Sequence, residues 1–313
     1  MALYGWRWGG RGAVASASVE KPHKSSWRPI FEDQFDLAYS PLMELDYGKG
    51  RLFWCMLDLE DHADHDPAAL QLTGQILNYA QSAPLTPKAR KTQYTGDDGG
   101  AKLLGDVGLV FEKTEEIATD TDLVVIGQNS ELSDEVLSAF IQGGGKVLVL
   151  PRTGRSLPLG ATQKEVDSFH GSLVVPNWPE ARGLSESDLR WRTDAKAWVI
   201  DSGGEVSADG LLARRILGKG VLVYCQLDPN RFDANVKTYF RLTRWRQTRA
   251  LCQVLANLGG QFVADKLIFT VIPESVVTQP WTFEPKKQPS GFYSSDYRDD
   301  FALGDDPFRY YNW

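Results

Sequence analysis

The chain has 313 residues, of which 42% are hydrophobic and 24% are charged, values typical of a folded globular protein rather than a disordered one. A net charge of −7 excludes a general electrostatic footprint for nucleic acid, and no apolar run approaches the roughly 18 residues of a membrane-spanning helix. We therefore expect neither nucleic acid nor a membrane as partner. No export signal is recognisable, so the compartment, cytoplasmic or periplasmic, depends on any parent protein.

Residues 1–81 are predicted to form the C-terminal half of an α/β domain. Strands at 41–46 and 51–57 flank a Gly48-Lys-Gly50 turn, and a helix at 67–80 follows. Residues 1–40 contain no recognisable counterpart of the strands that precede this hairpin in a complete domain. A hairpin with one helix leaves a sheet edge uncovered. We therefore expect strands from a partner chain, or from elsewhere in a parent polypeptide, to complete this unit.

Residues 82–90, which include Pro84 and Pro87, are predicted to be a linker, and residues 91–262 to be a complete α/β domain. The predicted strands are at 91–95, 109–112, 122–127, 146–150, 211–216 and 221–227, and the predicted helices lie within 97–108, after the Ser133 cap, and at 239–258. Short apolar strands alternating with helices are typical of a parallel sheet flanked by helices.

Between residues 152 and 192 the sequence predicts a long irregular stretch, which carries His170, Trp178 and Trp191. Tryptophans beside polar residues are typical of a sugar contact, of an anchor for a neighbouring domain, or of a lid over the domain's own sheet. All three interpretations stay open, and the three residues are candidate ligand contacts.

One signature occurs twice, at residues 47–58 and 217–228, with seven identities at a single offset of 170 residues. Two copies of one domain end are therefore predicted. Asp58 and Asp228 end the two copies, at the edge where open α/β sheets usually hold ligands. They are candidates for a ligand contact or for structural acceptors of backbone N–H groups.

An acidic cluster follows the first copy. Asp58, Glu60, Asp61 and Asp64 supply oxygen ligands of the kind that Ca²⁺ prefers, although the glycine-centred spacing of a calcium loop is absent. Capping and solvation before a helix explain the same residues, so the metal site is one of two interpretations.

Two further segments are distinctive. The arginines of residues 241–249 are predicted to lie on the solvated face of a helix.

Residues 263–313 are predicted to be an extended tail that docks on a partner through its aromatic residues, because a free disordered tail would be poor in aromatic residues. The docking candidates are Trp281, Phe292, Tyr293, Tyr297, Phe301, Tyr310, Tyr311 and Trp313.

The Gly-Lys-Gly hairpin, the Asp122–Gly127 strand and the 132–150 helix–strand segment together resemble class I glutamine amidotransferase-like domains of the trehalose-utilisation (ThuA-like) type. The resemblance implies a flavodoxin-like fold, with one complete copy and one C-terminal half copy. The turns at 127–130 and 151–154, where such an enzyme would carry its nucleophile, contain no cysteine. Cys55 and Cys225 are predicted to be buried within strands, which raises a thiol pKa. Glutaminase activity is therefore not expected.

Several segments also resemble parts of large bacterial β-galactosidase-like glycoside hydrolases. These segments are residues 4–9, 11–14, 20–23, 27–30, 57–62, 296–301 and 304–311. The resemblance implies a non-catalytic accessory module or subunit that completes a hetero- or homo-oligomeric assembly with a catalytic chain or domain, with carbohydrate as a further ligand. No catalytic residue and no cofactor is predicted. The alternatives are a stand-alone ThuA-like sugar-binding or sugar-modifying protein and a pure oligomerisation scaffold.

Overall fold

A computed structural model describes residues 14–15, 17–22, 24–33, 37–60, 62–171, 174–232 and 240–265. The strands are β1 (Val19–Glu20), β2 (Arg28–Pro29), β3 (Tyr39–Ser40), β4 (Leu42–Tyr47), β5 (Gly50–Cys55), β6 (Thr92–Thr95), β7 (Glu112–Lys113), β8 (Leu123–Ile126), β9 (Lys146–Val149), β10 (Thr162–Gly171), β11 (Arg190–Ser202), β12 (Glu205–Val206), β13 (Leu212–Leu217) and β14 (Gly220–Cys225). The helices are α1 (Pro67–Ser82), α2 (Asp98–Asp106), α3 (Asp134–Gln142), α4 (Glu186–Leu189) and α5 (Phe240–Asn257). None of the described helices is both long and apolar enough to cross a membrane.

The described part of the chain is a mixed α/β structure built on a seven-stranded, mostly parallel sheet. Its strand order is β12-β13-β14-β9-β8-β6-β7. The five strands from β14 to β7 are parallel, and β13 and β12 continue the sheet in antiparallel fashion. Every residue of β8 is buried, as expected of a strand covered on both faces.

In the second unit, residues 91–265, helices α2 and α3 begin where the sequence predicts. Ser133 caps α3 by accepting a hydrogen bond from Val136 N at 3.4 Å, and Asp97 caps α2 by accepting one from Gly100 N at 3.2 Å. Gly143 ends α3. The predicted helices and the strands at 91–95, 122–127, 146–150, 211–216 and 221–227 are confirmed, with ends that differ by a few residues.

The prediction of an irregular stretch at 152–192 is wrong for residues 162–171 and 190–192, which form strands, whereas residues 152–161 and 174–189 contain only turns and short helices. Strands β10 and β11 pair along this region as a long antiparallel hairpin with three register shifts. Most of β10 is exposed and polar, and bulges interrupt its alternation, so it lacks the apolar period by which a strand is recognised in a sequence.

The first unit contains the predicted hairpin and helix, and it repeats the end of the second unit closely. The sheet order β2-β4-β5 matches β12-β13-β14. Glu44 and Met43 of β4 pair with β2, while Arg214 and Ala213 of β13, 170 residues later, pair with β12. Because β2 pairs with β4 in the same register as β12 pairs with β13, the duplication extends beyond the signature seen in the sequence.

The two units are in contact. Ser26 donates to Asp265 from its backbone N at 2.8 Å and from its Oγ at 2.6 Å. Residues 83–90 contain no helix or strand, and Ala89 N donates to Gly259 O at 2.9 Å. Residues 91–265 therefore form hydrogen bonds both with the first unit and with the segment that connects the two units.

Candidate functional site

The first candidate site is the crevice at the carboxyl ends of β6 and β8, where the order of the parallel strands reverses and where such sheets usually hold ligands. The loops after the two strands are joined by a hydrogen bond from Asp97 N to Gln128 O at 2.9 Å. Thr95 Oγ1 and Ser130 Oγ lie 3.1 Å apart, and the Arg152 guanidinium donates to Gly127 O.

Tyr94 fills this crevice from within the chain. Its side chain is fully buried, and its hydroxyl donates to Asp97 O at 2.8 Å, with Asp97 Oδ1 at 3.0 Å. A Cβ at Gly100 or Gly127 would lie 2.1 or 2.0 Å from the hydroxyl, so both glycines make room for it. Burial holds the pKa of Tyr94 well above its usual range. The inner part of the crevice is therefore occupied by the buried phenol of this chain.

The turn after β8 places a non-glycine residue in the left-handed region of the backbone. Asn129 adopts a φ of 58°, in the left-handed region, and carries an amide. Cys225 is buried in β14, where burial raises the pKa of its thiol to about 12. The expected burial of Cys55 is wrong, because its thiol is exposed on β5, the last strand of its sheet.

Asp58 and Asp228 hold equivalent places but have different surroundings. Asp228 caps the short turn that follows β14 by accepting a hydrogen bond from Asn230 N at 3.1 Å, and burial raises the pKa of its carboxyl. Asp58 is exposed, and its Oδ2 lies 3.6 Å from His62 Nδ1. The cap at Asp228 favours the structural interpretation of that residue.

The predicted cation site lies only partly within the described residues, so it stays a prediction. Asp61 lies outside them, and Asp58, Glu60 and Asp64 form no group of three or more ligating side chains within the described part. Nearby Asp66 caps α1 by accepting a hydrogen bond from Ala68 N at 2.8 Å. Helix capping is one of the two roles that the sequence analysis gives for the acidic cluster.

His170, Trp178 and Trp191 lie in different surroundings. His170 is exposed on β10. The buried Trp178 donates from Nε1 to Glu205 Oε1 at 2.7 Å. Trp191 is buried between two rings, those of Phe169 and Phe232, each with its centroid 4.9 Å away. These contacts favour internal packing for the two tryptophans over the stacking of a sugar.

A cleft of about 1170 Å³ lies between the two units. Its walls are Tyr79, residues 82–87, Lys146, residues 175–184, Val221, Asn257 and Leu258. Burial lowers the pKa of Lys146, with Glu180 acting in the opposite direction. Lys146 begins β9, so the cleft opens at the amino edge of the parallel strands, opposite to the edge at which such sheets usually hold ligands.

A buried charge cluster beside the cleft was not predicted from the sequence. Glu44 is 1% exposed and accepts hydrogen bonds from Arg28 and, at 2.8 Å, from the Tyr79 hydroxyl. Arg51 Nε lies 3.1 Å from its second oxygen, and Arg182 of the second unit donates at 3.4 Å. The duplicate of the Arg28–Glu44 pair is Glu205–Arg214, at 2.8 Å, with the charges exchanged between the strands.

A second buried cluster joins the units at α4 and α5. Lys21 pairs with Glu32, whose Oε1 also accepts from Ser185 Oγ at 2.6 Å. Arg249 donates from Nε to Asp188 Oδ1 at 2.7 Å and is 4% exposed, so the predicted solvated face of arginines is wrong for this residue. Burial lowers the pKa of Lys21 to about 8 and that of Arg249 to about 10.

The outer face of β5 is the place where the two copies differ most. Leu52 and Trp54 are 39% and 49% exposed, whereas their duplicates Leu222 and Tyr224 are both 0% exposed. In the second unit this face is covered by α3, because Leu222 and Tyr224 pack in one core cluster with Leu137 and Ile141. In the part of the chain that the structure describes, β5 ends its sheet.

Tail residues 266–313 lie outside the described residues. The docking candidates Trp281, Phe292, Tyr293, Tyr297, Phe301, Tyr310, Tyr311 and Trp313 belong to this segment, so their role stays a prediction.

Residues 26–95 match a family described as a domain of unknown function, DUF8487. No curated protein sequence matches the chain. Among solved structures, the cold-adapted β-galactosidase from Rahnella sp. R3 is similar over 51% of this chain and 31% of that enzyme, with 16% identity and a TM-score of 0.31. The matched region therefore spans less than a third of that enzyme, and a superposition at this TM-score does not establish a shared fold.

Proposed function

We propose that residues 1–313 form a non-catalytic structural module of a β-galactosidase-like glycoside hydrolase, and that the module completes an assembly with a catalytic chain or domain. The observation that carries the proposal is the duplicated unit with one uncovered face, at Leu52 and Trp54. Exposed apolar surface of this kind is typical of a contact with another protein segment. The link to glycoside hydrolases rests on the sequence resemblance alone.

The proposed fold of residues 91–262 is flavodoxin-like and related to the ThuA-like amidotransferase-like domains. Numbered in chain order, the five parallel strands lie in the order 2-1-3-4-5, which is the flavodoxin order. Asn129 with its positive φ takes the place of an elbow nucleophile, and the Tyr94 ring takes the place of a ligand. Both features support a domain that keeps an enzyme-like architecture for a structural use.

Purified residues 1–313, assayed with 4-nitrophenyl β-D-galactoside, test this proposal. Since the proposal places the carboxylate pair for glycoside hydrolysis on the catalytic partner, we expect turnover equal to that of buffer at every fraction of a size-exclusion profile. A hydrolytic activity that coelutes with the chain and persists through a second, unrelated purification step contradicts a non-catalytic role.

A further inference from the structure

We propose that the outer edge of β5 is a docking site for a helix–glycine–strand segment of a partner polypeptide, which adds a parallel strand to β5 as β9 adds to β14. This inference rests on the proposed function, because it specifies the contact by which the module joins its assembly. The term "β5 edge" below means residues 50–55 on the side away from β4.

The duplication defines the geometry of the missing neighbour. In the second unit, β14 pairs in parallel with β9 over four residues, from Val221 with Lys146 to Tyr224 with Val149. Val221 N donates to Gly145 O at 3.3 Å, on the side of β14 away from β13. At the 170-residue offset the equivalent amide is that of Arg51. By the two-residue period of a strand, the amides of Phe53 and Cys55 face the same way.

The strongest support comes from two equivalent glycines, Gly220 in the β13–β14 hairpin and Gly50 in the β4–β5 hairpin. A Cβ at Gly220 would lie 2.2 Å from the carbonyl oxygens of both Ile141 and Gly145, so only glycine lets the end of α3 approach. Its duplicate, Gly50, has no atom within 4 Å of the same position and does not have a positive φ. Nothing in the described structure therefore requires glycine at residue 50.

The turn glycines show the same contrast. Gly218 would place a Cβ 2.7 Å from Gln142 O, whereas its duplicate Gly48 has no neighbour within 4 Å. Gly48 has a positive φ of 58° and so has a backbone reason to be glycine, which Gly50 lacks. A helix end seated against the hairpin, as α3 is seated in the second unit, explains Gly50.

The exposed side chains fit the same occupant. Leu52 and Trp54 lie on the face that α3 covers in the second unit, whereas Phe53 lies on the other face and contacts Tyr79 of α1, with ring centroids 6.1 Å apart. A partner that supplied only a strand would leave Leu52 and Trp54 open to water. A strand preceded by a helix covers them.

The segments of this chain outside the described residues do not have the required sequence pattern. Residues 1–13 are shorter than the 16 residues from Asp134 to Val149 that form α3, its glycine turn and β9. In residues 266–313 the apolar run 267–272 follows a 3-10 turn and not a glycine-ended helix. Gly291 follows a proline-rich stretch, and Gly304 precedes Asp-Asp-Pro. The occupant is therefore assigned to a segment that is not part of residues 1–313.

The test uses the full chain and a labelled synthetic peptide with the sequence of residues 133–150, which is the helix–glycine–strand segment of the second unit. Fluorescence anisotropy should show saturable binding to the wild-type chain. Gly50→Ala should weaken this binding at least tenfold without changing the urea midpoint of the chain. Gly74→Ala, in α1 and with nothing within 4 Å, is the matched control and should bind as wild type.

Gly220→Ala provides the internal reference, because the same substitution there should lower the urea midpoint. The proposal is overturned if the peptide does not bind, if Gly50→Ala binds as tightly as wild type, or if Gly50→Ala lowers the midpoint as Gly220→Ala does. It is also overturned if the chain alone forms a dimer that Gly50→Ala dissociates, since the occupant is then a second copy. None of these outcomes depends on galactoside turnover, which tests the proposed function separately.

Discussion

Lys21 is a buried charged residue of the first unit that contacts the second unit at Ser187. Lys21 is 3% exposed, its ammonium lies among Glu32, Arg249 and Arg246, and burial is the largest cause of the fall of its pKa to about 8. The cation is retained at neutral pH because Glu32 is beside it. Desolvation and the two arginines act against it, so Lys21 is a titratable group inside a contact between units.

This pKa predicts a stability change in mild alkali. An unfolded lysine titrates near 10.5, so between about pH 8 and pH 10.5 the unfolded chain binds more protons than the folded one, and the free energy of unfolding rises with pH. Urea unfolding in reductant at pH 7.5 and pH 10 should show a Lys21-dependent gain on the order of 2 kcal/mol. In Lys21→Met this contribution should vanish. A wild-type slope equal to that of the variant contradicts the lowered pKa.

At the scale of elements, the duplicated β2–β4 and β12–β13 pairs show one topology in two environments. Arg28 and Glu44 pair inside the contact between units, where Glu44 is buried. Glu205 and Arg214 pair at the same register with the charges exchanged, and the Glu205 side chain is 57% exposed. The strand geometry is shared, whereas the solvation of the carboxylate is not.

This contrast predicts unequal effects of matched substitutions. Glu44→Gln removes the counter-charge of three buried or half-buried arginines and should cost about 3 kcal/mol or more of unfolding free energy. Glu205→Gln keeps an acceptor for Trp178 and loses a pair whose carboxylate is exposed, so it should cost much less than Glu44→Gln. Urea unfolding of both variants measures the difference. Equal costs contradict the buried role of Glu44.

The elements that were predictable from the sequence are those with a strong local signal. The Ser133 cap with its apolar stripe and the all-apolar β8 are specified by neighbours in sequence. Strand β10 has no such signal, because it is exposed, polar and bulged. The ion cluster at Glu44 could not be predicted, since its partners Arg28 and Arg182 are 16 and 138 residues away and nothing local marks a buried acid.

The candidate site was predictable only in outline. The 170-residue repeat predicted a half copy with an uncovered edge, but it did not show which side chains are exposed. The exposures of Leu52 and Trp54, and the empty space around Gly50, required three-dimensional comparison with the second unit. The burial of Trp178 and Trp191 likewise depended on contacts with distant residues such as Glu205 and Phe232.

At the scale of the whole molecule, the described residues form two copies of one α/β end, which are held together by buried ions and differ in how far each sheet continues. The second copy continues from β14 to β9, while among described residues the first ends at β5. Stability within such a molecule should be uneven, because a sheet edge with exposed side chains opens locally more easily than a strand paired on both sides.

Native-state hydrogen exchange on the intact chain, read at matched amides of the two copies, tests this account most directly. The amides of Arg51 and Phe53 should exchange at least about tenfold faster than those of Val221 and Val223, because only the latter pair face a neighbouring strand. The amide of Leu52, which faces β4, is the control and should be slower than both of its neighbours. Equal protection of Arg51 and Val221, and of Phe53 and Val223, would mean that the β5 edge is already covered and would contradict the account.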